Sequence, residues 1–311
     1  MNAEPRLFDA SALLIIGAGW GLTVPLSKIA VSTGHGHFGL IFWQLAIGVA
    51  FMALVQAVRG RLALRTDAAA LKVYTVIALI GTVIPNTASF QALAQLPSGL
   101  ISVLLSTVPM LAFPIALALR VELFSLRRLA GLTLGLIGVL VLVLPEASLP
   151  EAGMLAWIPV ALVAPVFYAF EGNYVARWGI AGLDAVEVLC GASLVGAAIA
   201  LPLALGSGQF IDPRGPWGAA EWALVGASVI HVSVYAGYVW LVGRAGPVFA
   251  VQVSYLVTGF GVLWALVLLG ESYSVWFWLA MALILAGVAV VQPRAGDGTL
   301  DADPAMGKNT G

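Results

Sequence analysis

The strongest constraint in this chain is where charge is missing. Between Lys72 and Arg120 run 47 residues without a charged side chain. A helix needs roughly 20 mostly apolar residues to cross a bilayer, so this stretch is too long for one crossing and fits two. The break falls at Gln95-Leu96-Pro97-Ser98-Gly99, a Pro/Gly turn signal. The same reading gives ten charge-poor apolar runs, at about 11–30, 38–58, 73–94, 98–119, 128–144, 153–176, 185–205, 219–242, 247–269 and 274–291. Composition agrees: 61% of the 311 residues are hydrophobic and 9% charged, against about 25% charged in a soluble domain. So few charges leave a water-soluble surface uncovered, and disorder needs low hydrophobicity.

The runs read as helices. Barrel strands alternate apolar and polar over roughly ten residues, whereas these runs are continuously apolar and about twice that length. The first is read as a helix and not a cleaved leader: it has little positive charge before it and carries Trp20, Pro25 and Lys28. With ten spans both termini share one side, and 12 of the 14 Lys and Arg fall there, leaving Lys28 and Arg214 opposite. Basic residues mark the cytoplasmic face. The expectation is an integral protein of a bacterial-type inner (plasma) membrane, both termini cytoplasmic, with a Gly/Asp-rich disordered tail over 293–311.

Other totals narrow the functions. The formal net charge of -1 offers no basic excess for nucleic acid. The single cysteine, Cys190, excludes a disulfide within the chain and a Cys-rich metal site. His35 and His37, flanking Gly36, are too few for a metal. Neither a cofactor nor a metal is expected, and no obligate protein partner is evident.

A shift of 149 residues lays one half over the other. Leu117-Ala118-Leu119-Arg120-Val121-Glu122 falls on Leu266-Val267-Leu268-Leu269-Gly270-Glu271, Ser125 on Ser274, and Leu134, Gly138, Val139 and Val141 on Leu283, Gly287, Val288 and Val290. In each half an acidic residue follows a long apolar helix and precedes one bearing small residues. Five helices is an odd number, so the second copy enters from the other face. Inverted repeats of this kind commonly hold a site near the midplane at the repeat interface. The expected fold is all-α and membrane-integral: ten transmembrane helices as two inverted five-helix repeats, 1–149 and 150–292, around a central cavity.

At this point the sequence resembles the EamA-type family of the drug/metabolite transporter superfamily, over about residues 10–292. The carriers are Trp20-Gly21 with Lys28, then Leu96-Pro97-Ser98-Gly99 and Pro109. Val121-Glu122 and Gly270-Glu271 stand before the last helix of each half, followed by Gly131, Gly138 and Gly287. The resemblance implies ten helices in two inverted repeats and transport of small metabolites, often export of amino acids, aromatic ones included. In the second half Thr258 stands where the first has Pro109, and the Gly243–Pro247 turn replaces Leu-Pro-Ser-Gly. The substrate does not carry over.

Polar side chains inside a bilayer are costly unless they face protein or a water-filled cavity, so they are the candidate site. His231, Tyr235 and Tyr238 lie at i, i+4 and i+7, one helix face. Thr82, Asn86 and Ser89 repeat that spacing, and the 149 shift superposes the two sets. Ser102, Gln252, Tyr255, Trp20 and Trp43 with Gln44 complete the expected lining. Such a cavity is amphipathic, with rings for a ring or an organic cation and amides and hydroxyls for polar ends. His231 suits substrate bonding, proton coupling or a neutral bond to a neighbouring helix, with lining favoured over carrying protons. Glu171 fits proton coupling or, preferentially, a pair with Arg177. Lys28 fits snorkelling to the interface or a charge at a cavity mouth. Glu122 and Glu271 fit capping or pairing at helix junctions better than substrate contact.

These features point to a secondary transporter working by alternating access, its partners a small-molecule substrate (an amino acid or similar metabolite) and membrane lipid. The rival class is a membrane-embedded enzyme acting on a lipid or peptide. It needs paired acids, a metal cluster or a base beside a nucleophile, and His231 and Glu171 form no such motif. No Walker-type phosphate loop is present to take ATP.

Overall fold

Backbone crossing hydrocarbon must satisfy its own hydrogen bonds, and helices do so within one segment. A computed structural model describes residues 3–60, 64–143, 152–250 and 252–291, and every regular element among them is helical. In order these are α1 (Ala3–Val31), α2 (His37–Val58), α3 (Ala68–Ala78), a π-helical turn (Leu79–Val83), α4 (Ile84–Gln95), α5 (Ser98–Leu105), α6 (Val108–Ala118) and α7 (Leu126–Val143). A short 3-10 segment (Ala152–Trp157) leads to α8 (Ile158–Trp178), α9 (Ala185–Gly206), α10 (Ala219–Ala245), α11 (Pro247–Ala250), α12 (Val253–Leu269) and α13 (Val275–Val291). The 293–311 tail lies outside the described residues.

Eight helical stretches are long and apolar enough to cross a membrane, α3 to α4 and α5 to α6 each counting once. α12 and α13 are shorter, at 17 residues each, or about 26 Å of rise. Large apolar side chains such as Ile15, Leu136, Val267 and Leu268 face outward, as they must where the solvent is lipid.

Two helices expected to be continuous are broken. The run 98–119 divides at Ser106-Thr107, whose hydroxyls bond back to the Val103 and Leu104 carbonyls at 2.7 and 2.6 Å. Pro109 has no N–H to continue the ladder and so opens α6 instead of lying within one long helix. The run 247–269 divides between α11 and α12. The left-handed conformation closing α12 falls on Gly270 (φ 64°), which carries no Cβ to oppose it.

The packing repeats under exchange of the halves. α1 lies against α10 and α12; correspondingly α8 lies against α4 and the α5–α6 pair. α3 meets α9 as α10 meets α2, while α2–α9 and α7–α13 each pair like with like. The α7–α13 crossing shows this at atomic scale. A Cβ on Gly131 would stand 2.7 Å from the Gly287 carbonyl oxygen, and one on Gly138 would stand 3.0 Å from that of Ala280. Under the 149 shift those two contacts are the same contact.

Exchange is incomplete. α1 also packs along α4 and α5, but α8 forms no comparable interface with α10 or α12 among the described residues. The helices are drawn together at the end carrying the 32–36, 96–97 and 207–218 turns. At the other end Arg244 of α10 bonds Asp9 of α1 at 2.6 Å. Loops at both ends are tied across halves: Gln209 accepts from the Phe38 N–H at 3.0 Å, and Arg65 donates to the Ala181 carbonyl at 3.0 Å.

Candidate functional site

The α1–α10 interface carries an aromatic wall. The Trp20 ring meets His231, Tyr235 and Tyr238 edge-on, with centroids 5.8, 6.3 and 5.8 Å away. These are favourable ring geometries. The i, i+4, i+7 spacing puts all three α10 residues on the side that α1 covers.

The equivalent α4–α8 interface carries a polar wall. Asn86 donates to Gln44 Oε1 at 3.0 Å and accepts from the Tyr168 hydroxyl at 2.9 Å. One amide thereby ties α2, α4 and α8. Beside it the π turn widens the helix just before Pro85, which lacks an N–H. Gly81 sits in that turn, and a Cβ there would fall 2.5 Å from Glu171 Oε1. A larger residue at 81 would require the carboxylate to shift.

Glu171, Tyr168, Tyr235 and His231 are surrounded by protein atoms yet none is sealed from solvent by surface area. Glu171 forms no ion pair among the described residues, and Arg177, on the same helix, is exposed. The pairing of these two favoured from sequence is absent because six residues separate them, and i, i+6 does not share a helix face.

The remaining expected residues divide. Thr82 lies in the π turn and Ser89 half-buried one turn past Asn86. Tyr255 is half-buried against the main apolar cluster and Gln252 is exposed at the start of α12. Ser102 lies apart from the set: it is buried, bonded to the Ser98 carbonyl at 3.1 Å and packed where Gly261 of α12 crosses. Trp43 also lies apart, its indole N–H donated to the Ile211 carbonyl at 2.9 Å and its ring against Phe210. Asn173 is committed to the Ala112 and Ala169 carbonyls.

Lys28 and Glu271 form a clamp that sequence spacing does not reveal. Lys28 Nζ donates to the Leu93 and Leu96 carbonyls at 2.6 and 3.1 Å, capping α4. Glu271, from the other half, accepts from Ser98 N (2.7 Å), Ser98 Oγ (2.8 Å) and Gly99 N (3.2 Å), capping α5. Cation at a helix C-terminus and anion at a helix N-terminus both complement the backbone dipoles. The intervening Leu96-Pro97 turn is thus held from both sides. The 149 shift carries Lys28 to Arg177, Glu271 to Glu122 and this turn to Ala245-Gly246. There the clamp is open: Arg177 is exposed and Glu122 pairs with Arg128. Capping was the favoured reading of both acids, and Glu271 performs it across the halves.

No group of three or more His, Cys, Asp or Glu side chains is placed to hold a metal among the described residues. A membrane helix bundle of two like halves has the plan of a transport protein. The chain belongs to the EamA-like transporter family, whose model matches twice, over residues 8–144 and 155–292. A solved crystal structure shares the fold, with a TM-score of 0.61 and 24% identity over 90% of this chain and 96% of that one. No curated protein matches it.

Proposed function

We propose that the protein is a secondary exporter of amino acids, aromatic ones included, or closely related metabolites, working by alternating access through ten membrane spans. The observation that carries the reading is a pair of unlike walls at equivalent helix interfaces, which in this reading face one pocket. Trp20 with His231, Tyr235 and Tyr238 offers ring faces and edges, while Asn86, Tyr168 and Glu171 offer polar ends. An amino acid with a ring has both characters in one molecule.

The repeats, 1–149 and 150–292, are inverted in this reading, since five spans separate equivalent positions. The Lys and Arg distribution puts both termini in the cytoplasm of a bacterial-type inner membrane. The closed clamp at Lys28 and Glu271 then faces outward and the open equivalent at Arg177 and Glu122 faces the cytoplasm. Substrate loads from the cytoplasm into the pocket. Rocking of the halves opens the first clamp and closes the second, the exchange of roles that inverted repeats permit.

The test is flux in proteoliposomes against a panel of amino acids, sugars, organic acids and organic cations. Movement of amino acids above protein-free vesicles is expected. A panel in which nothing moves, alongside turnover of a lipid or peptide, would sink the transporter reading.

A further inference from the structure

One group in the interior is left without a partner. Every other acidic side chain described has a donor beside it. Asp9 has Arg244, Asp67 has Arg65, Glu122 has Arg128, Asp184 has Arg59, Glu187 has Tyr74, Asp212 has Arg214, Glu221 has His35 and Glu271 has Ser98. Glu171 alone has no donor among the described residues, and it stands mid-helix in α8. Among the described residues no side-chain oxygen sealed in the core lacks a hydrogen bond, so the Glu171 oxygens are not sealed.

The surroundings rule out a hidden counter-charge. The titratable groups facing Glu171 are Tyr168 on its own helix and Tyr235 on α10, with His231 one turn from Tyr235. The Tyr168 hydroxyl is already donated to Asn86, and Gly81 and Thr82 supply the π-turn side. Among the described residues no Lys or Arg side chain reaches the carboxylate. An ionised carboxylate enclosed in protein without a partner is strongly disfavoured. It is answered either by a proton or by a cation from the pocket.

Resting on the transporter reading above, we propose that Glu171 is the cation site of the pocket. Its carboxylate receives the ammonium group of the amino acid, the substrate ring lies toward Trp20 and Tyr235, and a proton takes the same carboxylate when the substrate leaves. One site that holds either a proton or a substrate, and must be neutralised to rearrange, exchanges the two. The ion moved against the substrate is therefore the proton, one for one, with no covalent change.

The experiment uses the full chain in proteoliposomes, a mixture of the twenty radiolabelled amino acids as probe, and the membrane potential clamped. Acid inside by one pH unit should accumulate label about tenfold, the ratio one pH unit supplies. Glu171→Gln, close in shape and checked for monodispersity, should lose that accumulation, and Glu171→Asp should recover part of it. Amino-acid methyl esters, which keep the ammonium, should compete; matched acids lacking it should not. A protonated-carboxyl infrared band should be present in the wild type, vanish on adding the mixture and be absent in Glu171→Gln. Equal accumulation by Glu171→Gln, equal competition by the amine-free acids, or no such band overturns the proposal. Movement of sugars or organic acids without amino acids also overturns it and leaves the transporter reading standing. No movement of any solute removes both.

Discussion

The clamp on the Leu96-Pro97 turn makes a prediction whose size follows from geometry. Glu271→Ala removes acceptors for two backbone N–H groups, at 2.7 and 3.2 Å, and for the Ser98 hydroxyl at 2.8 Å. Hydrogen bonds to a charged group contribute about 1.5–3 kcal/mol each, and a helix cap about 0.5–2 kcal/mol. Glu271 is half-buried, and the two backbone bonds alone, at the low end of the range, give about 3 kcal/mol. If those bonds exist only while this end is closed, their loss moves the closed-to-open ratio by about a hundredfold, at 1.4 kcal/mol per decade. The assay is labelling of Ser89→Cys by a membrane-impermeant maleimide from the outer face, in a Cys190→Ala background. Glu271→Ala should raise the labelling rate at least tenfold, Lys28→Met should do so less, and Glu122→Ala should leave it unchanged. A lowered melting temperature with no change in labelling would refute the reasoning: the carboxylate would then cap α5 in both states and gate nothing.

Three further outcomes follow from other parts of the molecule. His231→Ala and Tyr235→Ala each lose an edge contact with Trp20, worth about 0.5–1.5 kcal/mol; flux per folded protein should fall up to about tenfold, whereas Glu122→Gln should stay near wild type. Gly131→Val and Gly287→Val place methyl groups where a Cβ already stands 2.7 Å from a facing carbonyl oxygen. Overpacking of this sort costs about 1–3 kcal/mol or more, and monodispersity in size-exclusion chromatography should be lost. Asp67, in the loop before α3, is held below the usual carboxylate range chiefly by the Ala70 N–H and then by Arg65. Its contribution is full above the ordinary carboxylate pKa and fades as pH falls through the lower folded value. The melting-temperature gap between wild type and Asp67→Ala should therefore be widest at neutral pH and narrow in acid.

How much of this was legible in the sequence depends on the range of the interaction. Helix extents were legible because the bilayer sets length and composition together. The expected 185–205 and 274–291 end within a residue of α9 and α13. The break at Ser106-Thr107 was not, since hydroxyls bonding back onto their own helix leave no Gly or Pro at the break itself. The aromatic face of α10 was legible from spacing, but its partner Trp20 was one of several tryptophans with equal claim. Ser102 and Trp43 show the converse: a polar atom in an apolar run is a cavity candidate only until a backbone carbonyl claims it. The clamp was the least legible, because Lys28 and Glu271 act on one turn from helices more than two hundred residues apart. The shift that superposed the halves carried the acids to one another and said nothing about which turn each would hold.

The asymmetry between equivalent interfaces is what turns a duplicated fold into a directional site. The 149 shift lays Asn86 on Tyr235 and Thr82 on His231, so the α4–α8 and α1–α10 interfaces occupy equivalent places in the two halves. Their side chains diverge: amide, phenol and carboxylate on one side, indole, imidazole and two phenols on the other. A pocket with two identical walls would hold a substrate in two orientations and give neither preference. In the proposed mechanism unlike walls would fix the ring toward Trp20 and the charged end toward Gly81 and Glu171. As the halves rocked, the two walls would keep their chemistry while the clamps at the two ends exchanged states. An interchange of Glu171 and the aromatic wall would consequently preserve the rocking and destroy the orientation, which separates the part of the mechanism that belongs to the fold from the part that belongs to the site.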